Sequence, residues 1–391
     1  MSSLPEPSAE ARAQSARLLE LIAAEIGRSG GWVPFSRYME LALYAPGQGY
    51  YSGGARKFGP GGDFITAPEL TPLFGQALAT QVEQGMRASA MALIEVGAGT
   101  GLLAADMLLE LERRACLPDT YEILELSGEL RERQFDTLAT RVPHLAGRVR
   151  WLDALPDRFA GVVVANEVLD VMPVHLVVSR AQGLFERGVA LAADVPGASR
   201  LCWADRPARG AVLAGAQALD LPVPEQGEYV TELNLAGNAW VAAWAERIER
   251  GLMLLIDYGY PRAEYYLPSR SGGTLLCYYR HHAHGDPFLW PGLNDITAFV
   301  DFTAVAEAAY GAGLDVLGYA NQAQFLFNCG VLDCLERRGA RESADYIRAA
   351  RAAQRLTAPH EMGELFKVLA LGRGVEPPLQ GFVRGDRLHT L

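Results

Sequence analysis

The stretch LIEVGAGTGLL, Leu93 to Leu103, is an apolar run that carries Glu95 and then breaks into Gly97, Gly99 and Gly101 before a helical pattern begins. Glycines in such a turn let backbone amides approach a ligand at a helix N-terminus, which suits a nucleotide or an amino-acid carboxylate. The dinucleotide fingerprint GxGxxG needs a glycine at position 102, where this chain has Leu102. The form present is ExGxGxG. A nicotinamide dehydrogenase is therefore remote, and a bare strand-to-helix turn stays open as the bland alternative.

The pattern on both sides of the loop sets the fold class. Short apolar strands, MALIEV, YEILEL, RVRWL and GVVVAN, alternate with helical periods, one running through Leu111 and another from Glu129 to about Ala139. Such alternation predicts a parallel sheet with helices on both faces. It resumes with a helix at NAWVAAWAERIERG, the strand LMLLIDYG, the helix FTAVAEAAYGAG and the strand LDVLGYA. A helical stretch from about Gln324 to Arg355 and a last strand, LFKVLALG, follow. Between the halves, LVVSRAQGLFERGVALAA reads as an antiparallel hairpin turning near Gln182 and Gly183, with RLCWAD as a partner strand. Ahead of the loop, Leu18, Leu19, Ile22 and Ile26 stand at helical spacing and VPFSRYMELALY predicts a second short helix. A segment rich in glycine and proline then runs to a helix starting near Leu70.

Open α/β sheets bind ligands at the carboxyl ends of their strands. Here those ends are polar: Glu95, then Glu125 closing YEILEL, Asp153 just past RVRWL, and Asn166, Glu167 and Asp170 in ANEVLDVMP. A carboxylate at Glu125 can accept both hydroxyl hydrogens of a ribose, a solvated strand end being the alternative when it is read singly.

The loop and these strand ends resemble the S-adenosylmethionine (SAM) dependent methyltransferases of the seven-stranded Rossmann-like class. The stretches GYY, GDFITAPE, IEVGAGTG, NEVLDVMPVH, DYGY, HAHGDP, PGLNDITAFVDF and MGELFKVLAL narrow the match. From about Phe35 to Gly372 the chain is similar to the MidA-like SAM-dependent methyltransferases, whose mitochondrial members are protein arginine methyltransferases needed for respiratory complex I assembly. The resemblance implies a doubly wound α/β, Rossmann-like class I core with an antiparallel last strand, S-adenosyl-L-methionine as cofactor, no metal, and a protein arginine as the methyl acceptor. It implies a cofactor site at Glu95, Gly97, Ala98, Gly99, Gly101, Glu125, Leu126 and Asn166, with Asp153 and Ala154 at the adenine and Thr66 at the methionine end. A small-molecule O- or N-methyltransferase, and a SAM-binding assembly or interaction protein with little activity, are the rival readings.

A protonated guanidinium asks for carboxylates in a fork geometry, so acids near the transferable methyl are the acceptor-side candidates. They are Glu69, Glu167, Asp170 and Asp301. Glu167 leads them because it sits one residue past the fourth strand, its alternative being a helix N-terminal carboxylate that complements the dipole. The cluster RHHAHGDP offers His281, His282 and His284, but no fourth ligand at suitable spacing. His282 is taken as an acceptor-pocket residue, with a purely structural role as the alternative.

These assignments divide the chain into a helical N-terminal part with a glycine-rich lid loop, 1–89, a core, 90–372, and a C-terminal tail, 373–391. Insertions are expected at about 174–230, 258–302 and 321–360. In the lid, Gly59, Gly61 and Gly62 would permit motion over the donor. A formal charge of −11, from 35 basic and 46 acidic residues, argues against a nucleic-acid partner. Five scattered cysteines without CxxC spacing suggest a reducing cytoplasm, and the acid-containing N-terminus suits neither a signal nor a transit peptide. No apolar run suggests a membrane span.

Overall fold

The apolar runs around the glycine loop form strands of one sheet. In the computed structural model these are β1 (Ala92–Val96), β2 (Thr120–Leu124), β3 (Val149–Leu152), β4 (Phe159–Asn166), β5 (Ile248–Tyr260), β6 (Asp315–Asn321) and β7 (Phe366–Arg373). Their order across the sheet is β6-β7-β5-β4-β1-β2-β3. β1 to β5 pair in parallel, and β7 enters antiparallel between β5 and β6. β4 is buried along nearly its whole length, as a central parallel strand covered on both faces must be. This is the Rossmann-like class I methyltransferase architecture, and the antiparallel last strand is where the sequence put it.

The structure describes residues 4–53, 65–192 and 201–391. Gly59, Gly61 and Gly62, the expected lid glycines, lie outside the described residues. The chain folds as two units, each assembled from several separate segments. One comprises Ile65–Val168, Asn238–Pro261 and Asp301–Leu391 and holds the seven strands. Its core gathers Phe74, Leu78 and Val82 of α1 (Leu73–Ala88), Leu103 and Met107 of α2 (Leu102–Arg113), Val162 and Val164 of β4, Leu252 and Leu254 of β5, and Val368 of β7. α3 (Gly128–Arg141) joins β2 to β3 and buries Leu130, Gln134 and Leu138 at four-residue spacing. The helical segment after β6 forms Gln322–Asn328, Val331–Glu336 and Ala344–Thr357. α1, which the sequence places in the N-terminal part, belongs to this unit. Leu379 and Phe382, in the stretch read as a tail, are buried in its core.

The other unit comprises Met1–Phe64, Leu169–Gly237 and Arg262–Val300. Here the expected hairpin forms, His175–Arg180 pairing antiparallel with Gly183–Leu191 so that Arg180 faces Gly183. Leu201–Pro207 pairs with the second hairpin strand, as anticipated for RLCWAD, and Tyr229–Leu233 with the first. Trp32–Pro34 adds to the same sheet, so the N-terminal helices Ala9–Arg28 and Phe35–Tyr44 share a core with the hairpin. The histidine-rich segment contains a small antiparallel sheet of His282–His284, Leu276–Tyr279 and Asp295–Thr297.

Candidate active site

The glycine loop leaves β1 and enters α2 at Leu102. Gly97, Gly99 and Gly101 take left-handed backbone, with φ of 65°, 53° and 79°, a region that side chains disfavour. At Gly101 a Cβ would also come within 3.0 Å of the Gln134 Cα. The Gly97 amide donates to the Leu124 carbonyl at 3.1 Å and fastens the loop to the end of β2. Inside β1, Glu95 is buried and accepts a hydrogen bond from the Tyr121 hydroxyl. Burial pushes its carboxyl up to about 7, and the tyrosine pulls the other way.

Glu125 follows β2 and is 9% exposed. One of its carboxylate oxygens accepts from the Ser127 amide at 2.9 Å, the other from the Gln134 side chain at 3.1 Å. Burial raises its pKa above the ordinary carboxylate value, and these hydrogen bonds oppose the rise. Arg131, on α3, donates to the carbonyls of Glu125 at 2.7 Å and Leu152 at 2.8 Å. Its guanidinium also pairs with Asp153 at 2.8 Å. Asp153 and Ala154 are exposed past β3, and Leu126 is exposed beside Glu125.

β4 lies next to β1 and ends at Asn166. Glu167, the next residue, has φ 54°. A left-handed backbone at a residue with a side chain costs roughly 1–2 kcal/mol and persists only where the surroundings hold it. Here the Glu167 amide donates to the Ile256 carbonyl of β5 at 2.9 Å, and the Asn166 side chain donates to the Glu167 carboxylate at 3.1 Å. Both residues are half-buried. The buried Asn166 Oδ1 has no hydrogen-bond partner among the described residues. Across the strand ends, a Cβ on Gly97 would approach the Val168 side chain to 3.1 Å.

Glu69 stands in the one-turn helix Ala67–Leu70, with Thr66 at its N-cap. Its carboxylate accepts from Thr100 Oγ1 of the glycine loop at 2.7 Å. Asp301 caps the helix Phe302–Gly311, accepting from the Ala304 amide at 3.1 Å. Asp170 and His282 belong to the other unit. Asp170 is buried there with its carbonyl accepting from the Ala298 amide at 2.9 Å, and His282 is half-buried in its short strand. Among the described residues no group of three or more histidines, cysteines or acids could hold a metal ion.

One sheet edge therefore gathers the glycine loop, Glu69, Glu125, Asp153, Asn166 and Glu167. Gln134, Arg131 and Thr100 complete the arrangement and were not singled out from sequence. A signal existed for Gln134, a polar residue in line with Leu130 and Leu138 on the buried face of α3. Arg131 and Thr100 have no pattern of their own. The residues present fit a nucleoside joined to an amino acid: a glycine cradle at a helix start, a buried carboxylate for paired hydroxyls, and a buried amide oxygen open to a donor.

The comparisons agree with that chemistry. The family model described as "Putative S-adenosyl-L-methionine-dependent methyltransferase" matches residues 73–320. The chain is 29% identical to the mitochondrial protein arginine methyltransferase NDUFAF7 homolog of Drosophila melanogaster, covering 95% of this chain and 88% of that one. Against mouse NDUFAF7, also named as a mitochondrial protein arginine methyltransferase, identity is 30% over 88% of this chain and 82% of the relative. A COG1565 superfamily member from Burkholderia thailandensis, crystallised with S-adenosyl-homocysteine, superposes with a TM-score of 0.94 at 53% identity, all of both chains being covered. Among the described residues no helix is long and apolar enough to cross a membrane. The chain belongs to the MidA-like family of SAM-dependent methyltransferases, with S-adenosyl-L-methionine as its cofactor.

Proposed function

We propose that this methyltransferase modifies an arginine side chain of a protein substrate. Its relatives named as protein arginine methyltransferases support the reading along most of the chain. The observation that carries it is Glu167, a half-buried carboxylate on strained backbone at the end of β4. An arginine guanidinium stays protonated in water, and a fixed carboxylate both orients it and can take the proton that methylation releases. In this reading the glycine loop and Glu125 grip the cofactor at its amino-acid and ribose ends, Leu126, Asp153 and Ala154 border the adenine, and Asn166 Oδ1 accepts from the ligand. Ala98 and Thr66 complete the cradle, and Glu95 supports it from within β1. The cofactor supplies an electrophilic methyl group on a sulfonium. Glu69, tied to Thr100, is a second acid for the acceptor, while Asp170, Asp301 and His282 are further acceptor candidates. The five free cysteines support a reducing compartment, the cytoplasm in this reading.

The test is incubation of wild-type and Glu167→Gln protein with methyl-labelled SAM and lysate from cells lacking the protein, followed by mass spectrometry of labelled peptides. Wild type should label arginine. The variant should bind SAM as wild type does and label at least 10-fold more slowly, since a positioned acid or base contributes roughly 10²–10⁴-fold. Label found only on small molecules or on other side chains, or full activity in Glu167→Gln, would overturn the proposal.

A further inference from the structure

We propose that Gln134 is a positioning residue for the cofactor, one side-chain amide that fixes the ribose-binding carboxylate against the glycine loop. The inference rests on the placement of Glu125 at the ribose. Gln134 is fully buried on α3. Its Nε2 donates both to the Glu125 carboxylate and to the Gly99 carbonyl, each at 3.1 Å, and its Oε1 accepts from the Trp151 indole at 2.8 Å. One side chain thus joins the loop after β1, the acid after β2 and β3 itself. The helix passes so close beneath the loop that a Cβ on Gly101 would meet Gln134 Cα and its carbonyl oxygen at 3.0 and 3.3 Å.

Only an amide can do this. Two N–H groups serve two acceptors while the oxygen serves a donor. Methionine fills the volume but leaves the Gly99 carbonyl, one Glu125 oxygen and the Trp151 N–H without their partner. Glutamate keeps the acceptor for Trp151 and sets a second carboxyl beside Glu125, so that the pair holds together only while it retains a proton. Glu125 is the residue that would touch the hydroxyls; Gln134 acts through it.

The experiment measures, by calorimetry on the full chain, the affinity for S-adenosyl-homocysteine and for its 2′-deoxyribose analogue in wild type, Glu125→Ala, Gln134→Met and Gln134→Glu. Wild type should prefer the ribose ligand by about 10-fold or more, the loss expected when a charged hydrogen bond is removed. Gln134→Met should lose most of that preference, and Glu125→Ala should lose it as well. For Gln134→Glu, affinity should fall more steeply than in wild type as pH rises from about 6 to about 9, because the carboxyl pair gives up its proton. A folded Gln134→Met with the wild-type preference, or a Gln134→Glu profile parallel to wild type, would overturn the proposal. So would failure of both variants to fold with the ligand present, which would make Gln134 a core residue first. If instead wild type shows no ribose preference, or Glu125→Ala binds normally, the donor-site reading itself fails, and that result is distinct from the others.

Discussion

Replacing Glu95 by glutamine probes the acid inside the glycine motif. In the folded chain its carboxyl titrates near 7 against an ordinary 4.5, because it is fully buried in β1 with the Tyr121 hydroxyl as partner. Between those two values the native state holds a proton that the unfolded chain has released. Stability contributed by the neutral form is therefore fully present below pH 4.5 and is lost as pH rises to 7. Each pH unit of separation is worth about 1.4 kcal/mol, which makes the loss about 3 kcal/mol. Glutamine cannot ionise, so the variant lacks this slope. Its extra amide hydrogens, buried without a designed acceptor, impose a penalty of roughly 1–3 kcal/mol that is the same at every pH. The quantity to measure is thus the change with pH of the difference between variant and wild type. Urea unfolding at a series of pH values from 4.5 to 7.5 gives it directly. The variant should gain about 3 kcal/mol on wild type across that range. A flat difference would refute the claim that Glu95 is held neutral by burial. Removing the tyrosine hydroxyl in Tyr121→Phe should extend the decline to higher pH while its onset stays at the unfolded value, because that hydrogen bond favours the ionised form.

Glu125→Ala should weaken binding of SAM and S-adenosyl-homocysteine by roughly 1.5–3 kcal/mol, the value of a hydrogen bond to a charged group, and calorimetry on the folded variant checks it. Gly99→Val places a branched side chain on backbone at φ 53° in the cradle; it should abolish cofactor binding while the far-ultraviolet circular dichroism stays near wild type, and normal binding would contradict the cradle. Glu167→Gly relieves the left-handed strain at φ 54° and should raise unfolding stability by up to about 1 kcal/mol while transfer activity falls, so a variant both less stable and fully active would remove Glu167 from the acceptor role.

Much of the sheet could be read from β1 outward because central parallel strands are continuous apolar runs with polar stops, a signal that survives in a single sequence. The positions of Glu125 and Glu167 followed from the same rule. What eluded the reading depends on pairing between distant segments. Trp32–Pro34 is three residues long and gives no periodicity, yet it extends the hairpin sheet and ties the N-terminal helices to it. Leu379 and Phe382 lie in a stretch of glycine and proline with no helical or strand period, and only the fold shows them entering the core. Thr100 meets Glu69 across 31 residues, a contact that loop residues do not announce. The left-handed backbone of Glu167 was illegible for a related reason: sequence marks such positions through glycine, and here the strained residue carries a carboxylate.

That contrast separates the two acids at the strand ends. Glu125 is buried, and its two oxygens accept from the Ser127 amide and from Gln134, which itself is locked by Gly99 and Trp151. A carboxylate fixed from behind in this way suits a ligand bound the same way in every turnover, such as a pair of ribose hydroxyls. Glu167 is set instead through its backbone, with φ forced positive and the amide tied to β5. Strain at one residue is worth keeping when its side chain must reach a point that relaxed backbone would miss. In the proposed reading the acceptor enters charged and loses a proton, a task that suits an acid placed by the fold yet still half-open to solvent, as Glu167 is. Under that proposal the two environments are not interchangeable: a buried Glu167 would resist ionisation, and a solvated Glu125 would lose the advantage of a hydrogen bond made in low dielectric.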